Sequence, residues 1–230
     1  EMSGAIGDHD TRAKHLQERL APALRRVVFM VVPSAVAFIM IGGSIVALLF
    51  QSGRFGADDT TTVWIILAGS AFGLSAGTQG RLLGSAFYAL GNPTPPLHAA
   101  LVRVGITGVA GYAFALPIRH WLGYEATWGA FGLTASAGFA AWVEFLLLRR
   151  WLEQRIGRVA IPGKLGLGAL VVAVVAGTAG YGSAWLANEL GAITAVSASI
   201  AIVVFGGVYL GTMVVAGVPE ARGLVRRLRR

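Results

Sequence analysis

The sequence predicts an all-α membrane protein with six transmembrane helices, and three observations carry that expectation. Hydrophobic residues make up 55% of the 230 and charged residues 13%, with a mean hydropathy of +0.68, too apolar for a chain whose whole surface must face water. The apolar residues also come in long runs. Val27 to Phe50 carries no charge and exceeds the roughly 20 residues a helix needs to cross a bilayer core. Finally, the basic residues sit just outside such runs, where they meet anionic headgroups and hold loops on one side of a membrane. Helices rather than a barrel are required, because lipid cannot satisfy free backbone groups and no period-two alternation runs through the segments.

Taken in order, the chain divides into a cytoplasmic or interfacial lead-in (1–26), four spans (27–150), a basic cytoplasmic loop (151–164), two further spans (165–217) and a basic cytoplasmic tail (218–230). In the lead-in, Leu16, Leu20 and Leu24 recur every four residues among Arg19, Arg25 and Arg26, the pattern of an interfacial helix running into the membrane. The first span, Val27 to Phe50, contains Pro33, which is expected to bend it where a neighbour or a cavity satisfies the freed carbonyl. Gly53 with Asp58 and Asp59 separates it from the second span, Val63 to Leu90. There Gly69, Gly73 and Gly77 recur every four residues and Gly80 pairs with Gly84, a stripe that lets helix backbones approach closely. The turn Gly91-Asn92-Pro93-Thr94-Pro95-Pro96 cannot be helical throughout. It leads to the third span, Ala99 to Ile118, and the fourth, Gly129 to Leu148; the last two are Leu165 to Ala187 and Ala192 to Gly217.

Orientation follows from the basic residues outside the spans. On alternating sides they count fifteen against two, Arg54 and Arg119 being the minority, so both ends of this segment are expected in the cytoplasm. The formal net charge of +8 is therefore topological, and nucleic acid is not an expected partner. With no cysteine, disulfides and thiolate metal sites are excluded. No phosphate-binding loop, nucleophile elbow or zinc-protease helix occurs, so neither a hydrolase nor an ATP-driven enzyme is expected, and no cofactor or metal. His98 and His120 stand at span ends without a ligand-spaced partner, and Trp64, Trp121, Trp128, Trp151 and Trp185 lie near span ends as an interfacial aromatic belt does. The chain opens on Glu1 without a signal-peptide pattern, and its first residues read as the middle of something longer.

Three ionisable residues remain inside the spans: Arg81 in the second, Arg103 in the third and Glu144 in the fourth. A charge at the centre of a membrane helix costs at least about 2.5 kcal/mol, so each is expected to face protein or water. One reading puts Arg81 and Arg103 on a cytoplasm-facing cavity that attracts an anionic substrate, with Glu144 orienting them or titrating during transport. The other has all three snorkelling to the inner headgroups, within reach of long side chains.

At Leu49-Phe50-Gln51-Ser52-Gly53-Arg54-Phe55 with Asp58 and Asp59, and again at Arg81 followed by Phe87-Tyr88-Ala89-Leu90-Gly91-Asn92-Pro93-Thr94-Pro95, the chain resembles the MviN/MurJ family. Those are lipid II flippases of the multidrug/oligosaccharidyl-lipid/polysaccharide exporter superfamily. The likeness is specific over Leu20 to Arg150; beyond it, helix count and hydropathy agree. It implies that this chain is the C-terminal portion of a fourteen-helix flippase, whose missing N-terminal helices supply the rest of an arginine-rich central cavity. Arg81 matches a basic position in a cavity-adjacent helix. The family's sodium site draws polar residues from the helix matching Ala99 to Ile118, and Gly108 to Ala115 here has no Asn or Asp, a departure from that pattern. The last two spans resemble the two extra helices that form an apolar groove for a polyprenyl tail.

The resemblance thus implies a transporter of the bacterial cytoplasmic membrane. It would carry the undecaprenyl-pyrophosphate-linked precursor from the inner to the outer leaflet by alternating access, driven by an ion gradient or the membrane potential, among anionic membrane lipids. Two rivals stand beside it: a flippase or exporter for another polyprenyl-linked oligosaccharide or a drug, and a non-transporting scaffold for cell-wall enzymes.

Overall fold

The computed structural model describes residues 2–118 and 126–228, together with Trp121 and Gly123. Among these the ordered elements are helical: α1 (Met2–Met40), α2 (Gly42–Phe50), α3 (Ala57–Ala89), α4 (Thr94–Ala113) ending in a π-helical turn (Phe114–Ile118), α5 (Ala126–Ile156), α6 (Gly163–Glu189), α7 (Thr194–Val215) and α8 (Pro219–Leu228). Six stretches are long and apolar enough to cross a membrane, and their outward faces carry Leu101, Val109, Val175 and Val203, each exposed by more than half. Water would not tolerate so continuous an apolar exterior. The chain is a multi-pass membrane protein.

α1 is the element both cores share. Leu20 and Leu24, near its middle, are buried with Leu83 and Phe87 of α3 and Leu148 and Leu152 of α5. Phe29, Val36 and Ile41, further along, are buried with Ala169, Ala173 and Ala176 of α6 and Phe205, Tyr209 and Met213 of α7. Leu16 to Arg26 belongs to the same unbroken helix as the first span, and its leucines meet protein because α3 and α5 extend as far as it does.

Pro33 does not end the helix. It lacks the N–H that would bond the Phe29 carbonyl one turn earlier, and Tyr209 of α7 donates its hydroxyl to that oxygen at 2.7 Å. The break comes later, at Ile41 between α1 and α2. There the indole N–H of Trp64 donates to the carbonyls of Phe38 and Ile39, at 3.2 and 3.1 Å. A side chain on Gly42 would lie 2.6 Å from the Trp64 ring. So Trp64 is a backbone cap for the broken helix as well as an aromatic near a span end.

The glycine stripe of α3 meets α5. Gly69 faces Thr134 and Phe131, Gly73 lies against Gly138, Gly77 faces Ala141 and Gly80 faces Phe145, whereas a side chain on Gly84 would meet nothing within 4 Å. At the crossing a Cβ on Gly138 would stand 2.9 Å from the backbone nitrogen of Gly73, so backbone touches backbone there. α4 packs on α5 and barely on α3, which leaves a gap between α3 and α4.

The turn after α3 needs glycine. Gly91 has φ +69°, and Asn92 and Gly91 donate to the carbonyls of Phe87 and Tyr88 at 3.0 Å each, a Schellman stop. Pro95 and Pro96 then occupy the first turn of α4, where backbone donors have no helical partner to lose. α5 runs on to Ile156, so Arg155, expected in the 151–164 loop, stands on helix; leaving the lipid does not oblige a helix to end. From Pro219 to Leu228 the basic tail is likewise helical. Ala221 of α8 is fully buried, and Glu220 accepts from Arg25 Nε at 2.7 Å and Nη2 at 3.3 Å, docking α8 against α1.

Candidate functional site

The gap between α3 and α4, backed by α5, is a cleft of about 260 Å³. Small residues make it: Ser70, Gly73 and Thr78 from α3 with Thr134 and Gly138 from α5 leave space that larger side chains would fill. Arg81 and Arg103 both line it, so the two arginines singled out from sequence share one cavity although they stand on different helices.

Glu144 does not line the cleft; it holds Arg103. Arg103 Nη1 donates to Glu144 Oε2 at 2.9 Å, with the side chains 36% and 16% exposed. The more enclosed carboxylate gains most from the pairing, because an unpartnered charge there would lose hydration without compensation. Among the described residues Arg81 has no carboxylate at ion-pair distance, and its side chain is exposed. The pair Arg103–Glu144 is neutral and Arg81 is not, so the group carries one net positive charge. Counting back from Ala89 at 1.5 Å per residue, Arg81 lies roughly 12 Å inside the end of α3.

The elements that surround the cleft are braced by donors that periodicity does not reveal. Trp142 of α5 donates its indole N–H to the Phe72 carbonyl of α3 at 3.0 Å, beside the Gly73–Gly138 contact, and its ring packs against Phe72 and Phe145. His98 lies with Trp151 and Arg155 around a separate hollow at the start of α4. Arg119 and His120 fall outside the described residues.

A family model described as lipid II flippase MurJ matches residues 1–208. The chain belongs to that family. A probable lipid II flippase MurJ of Rhizobium meliloti (strain 1021) is 28% identical over 187 residues, covering 76% of this chain and 32% of the relative. The lipid II flippase MurJ of Burkholderia cenocepacia is 30% identical over 132 residues, 57% of this chain and 24% of its own. Among solved structures, a lipid II flippase MurJ in an inward closed conformation superposes with a TM-score of 0.62 at 18% identity, over 89% of this chain and 41% of that one. The helix arrangement is therefore the MurJ fold. The chain spans about a quarter to a third of the length of the curated MurJ relatives it matches.

Proposed function

We propose that this chain is the C-terminal six-helix part of a flippase that moves the undecaprenyl-linked peptidoglycan precursor, lipid II, from the inner to the outer leaflet of the bacterial cytoplasmic membrane. Family membership over residues 1–208 supports the substrate class. The observation that carries the reading to residues is the cleft in which Arg81, with no carboxylate partner among the described residues, stands beside the Arg103–Glu144 pair. A pyrophosphate linkage is an anion that guanidinium groups bind through charge-assisted hydrogen bonds, stronger where water is partly excluded. A cationic drug would require carboxylates in that place.

The work is transport rather than catalysis. Alternating access would open the cleft toward the cytoplasm, with the preceding helices of the same transporter forming its other wall. The apolar outer faces of α6 and α7, with Leu167, Val171 and Val203 exposed, suit the polyprenyl tail. An ion gradient or the membrane potential would drive the cycle, each charge moved being worth about 2.3 kcal/mol per 100 mV.

The test is made in the full-length transporter, in cells depleted of their own flippase, by measuring lipid II accessible at the outer face. Arg81→Ala should lower accessible lipid II at least tenfold at unchanged protein level, and Arg81→Lys should restore part of it. Full transport by Arg81→Ala would remove this cleft from the substrate path.

A further inference from the structure

We infer that the hollow between α1 and α8 binds the phosphodiester headgroup of an anionic phospholipid, with Arg26 as its principal cation. The hollow measures about 330 Å³ and is walled by Arg25, Arg26, Phe29 and Met30 of α1 and by Glu220 and Leu224 of α8. That is ample for a small polar ligand group.

Its charge is specific. Arg25 spends Nε and Nη2 on the two oxygens of Glu220, which neutralises the acid of the wall and leaves three of the five guanidinium N–H groups of Arg25 unspent. Arg26 is exposed and has no carboxylate at ion-pair distance among the described residues. One positive charge is thus left over, the complement of a single phosphodiester.

The second half of the argument is the apolar wall. Arg26 is the last charged residue before the uncharged run that begins at Val27, which places its guanidinium at headgroup level. Met30, one turn deeper on the same face, is 53% exposed, and Leu224 flanks it from α8. A cation above an apolar wall that continues into the lipid fits an amphiphile; a free phosphate would use the cation and ignore the wall. The site rests on the six-span reading and not on the transported substrate.

The 230 residues hold no cysteine, and Gly223, which lines the hollow, has open space where a side chain would be. Gly223→Cys therefore admits a single bimane label. With the full chain in phosphatidylcholine vesicles, brominated phosphatidylglycerol is expected to quench the label several-fold more than the same fraction of brominated phosphatidylcholine. Arg26→Gln should abolish that preference. Arg26→Lys should keep it, as should Arg226→Gln, whose exposed arginine does not line the hollow. Equal quenching by the two lipids, or a preference that survives Arg26→Gln, overturns the site; so does loss of the preference on adding soluble glycerol phosphate, which would make the ligand a free phosphate. Because Arg81 is untouched in every variant, the outer-leaflet assay and this one fail separately.

Discussion

Pro33 and Tyr209 stand 176 positions apart in the chain and share one carbonyl. Proline removes the donor that Phe29 O would have had, and the buried tyrosine hydroxyl replaces it at 2.7 Å. Tyr209→Phe should therefore cost about 1 to 3 kcal/mol, the penalty for leaving a buried acceptor unpaired. Thermal unfolding in detergent, followed by helical circular dichroism, measures it. In a Pro33→Ala background the backbone N–H returns, and the same tyrosine change should cost less than half as much. An equal cost in both backgrounds would show that the hydroxyl does not stand in for the donor that proline lacks, since phenylalanine keeps the ring contacts with Phe29 and Phe205. The Arg103–Glu144 pair answers to the same logic. Arg103→Ala strands a carboxylate that is 16% exposed, so it should destabilise more than the double change Arg103→Ala/Glu144→Gln. The same melts decide it, the double variant being the more stable of the two.

Among elements, the α3–α5 seam is where space is shortest. Gly138→Ala would thrust a methyl toward the Gly73 nitrogen, forcing the helices apart at a cost of about 1 to 3 kcal/mol and reshaping the cleft beside it. Gly84→Ala, on α3 and facing open space, should be neutral or stabilising by up to about 1 kcal/mol, because alanine is the better helix former. Unfolding midpoints of the two variants in one detergent make the comparison. The α1–α8 contact is instead electrostatic. Its hydrogen bond from Arg25 holds the Glu220 carboxyl below the usual 4.5, against the opposing effect of burial. A lowered folded value means the pair contributes fully above about pH 4.5 and is lost as pH falls through that lower value. Proteolysis after Val218 should thus accelerate on acidification below pH 4.5, and Glu220→Gln should cleave at the fast rate throughout. A pH-independent rate in the unaltered protein would show that Ala221 and its apolar neighbours dock α8 without the ion pair.

For the whole molecule, the chain's own contacts bring the expected basic ends together. Gln17 donates to the Ile156 carbonyl, Arg25 pairs with Glu220, and Asn92 lines a hollow with Arg155, so the lead-in, the α3–α4 turn, the end of α5 and α8 share one end of the bundle. By the excess of arginine that end should face the cytoplasm. In a cysteine-free background, Arg158→Cys should react with an impermeant maleimide after permeabilisation alone, and Ser52→Cys and Glu189→Cys in intact cells. Labelling of Arg158→Cys from outside would invert the orientation and with it the direction from which the cleft loads.

Fold class and the six spans were legible along the chain, because crossing a bilayer is a demand each segment meets alone, with enough consecutive apolar residues. The glycine stripe also announced a close helix contact, since close approach leaves a period in the sequence; it did not announce that α5 was the partner or that Gly84 was idle. Likewise Pro33 declared which carbonyl would be left free, but not that Tyr209 would reach it, nor that Trp64 would cap a break eight residues further on. Arg81, Arg103 and Glu144 were conspicuous one by one as charges in apolar runs. That Arg81 and Arg103 share a cleft while Glu144 occupies Arg103 depends on α4 packing against α5 and leaving α3. Pairings of that kind are contacts between distant segments, and no local pattern encodes the neighbour that another helix will supply.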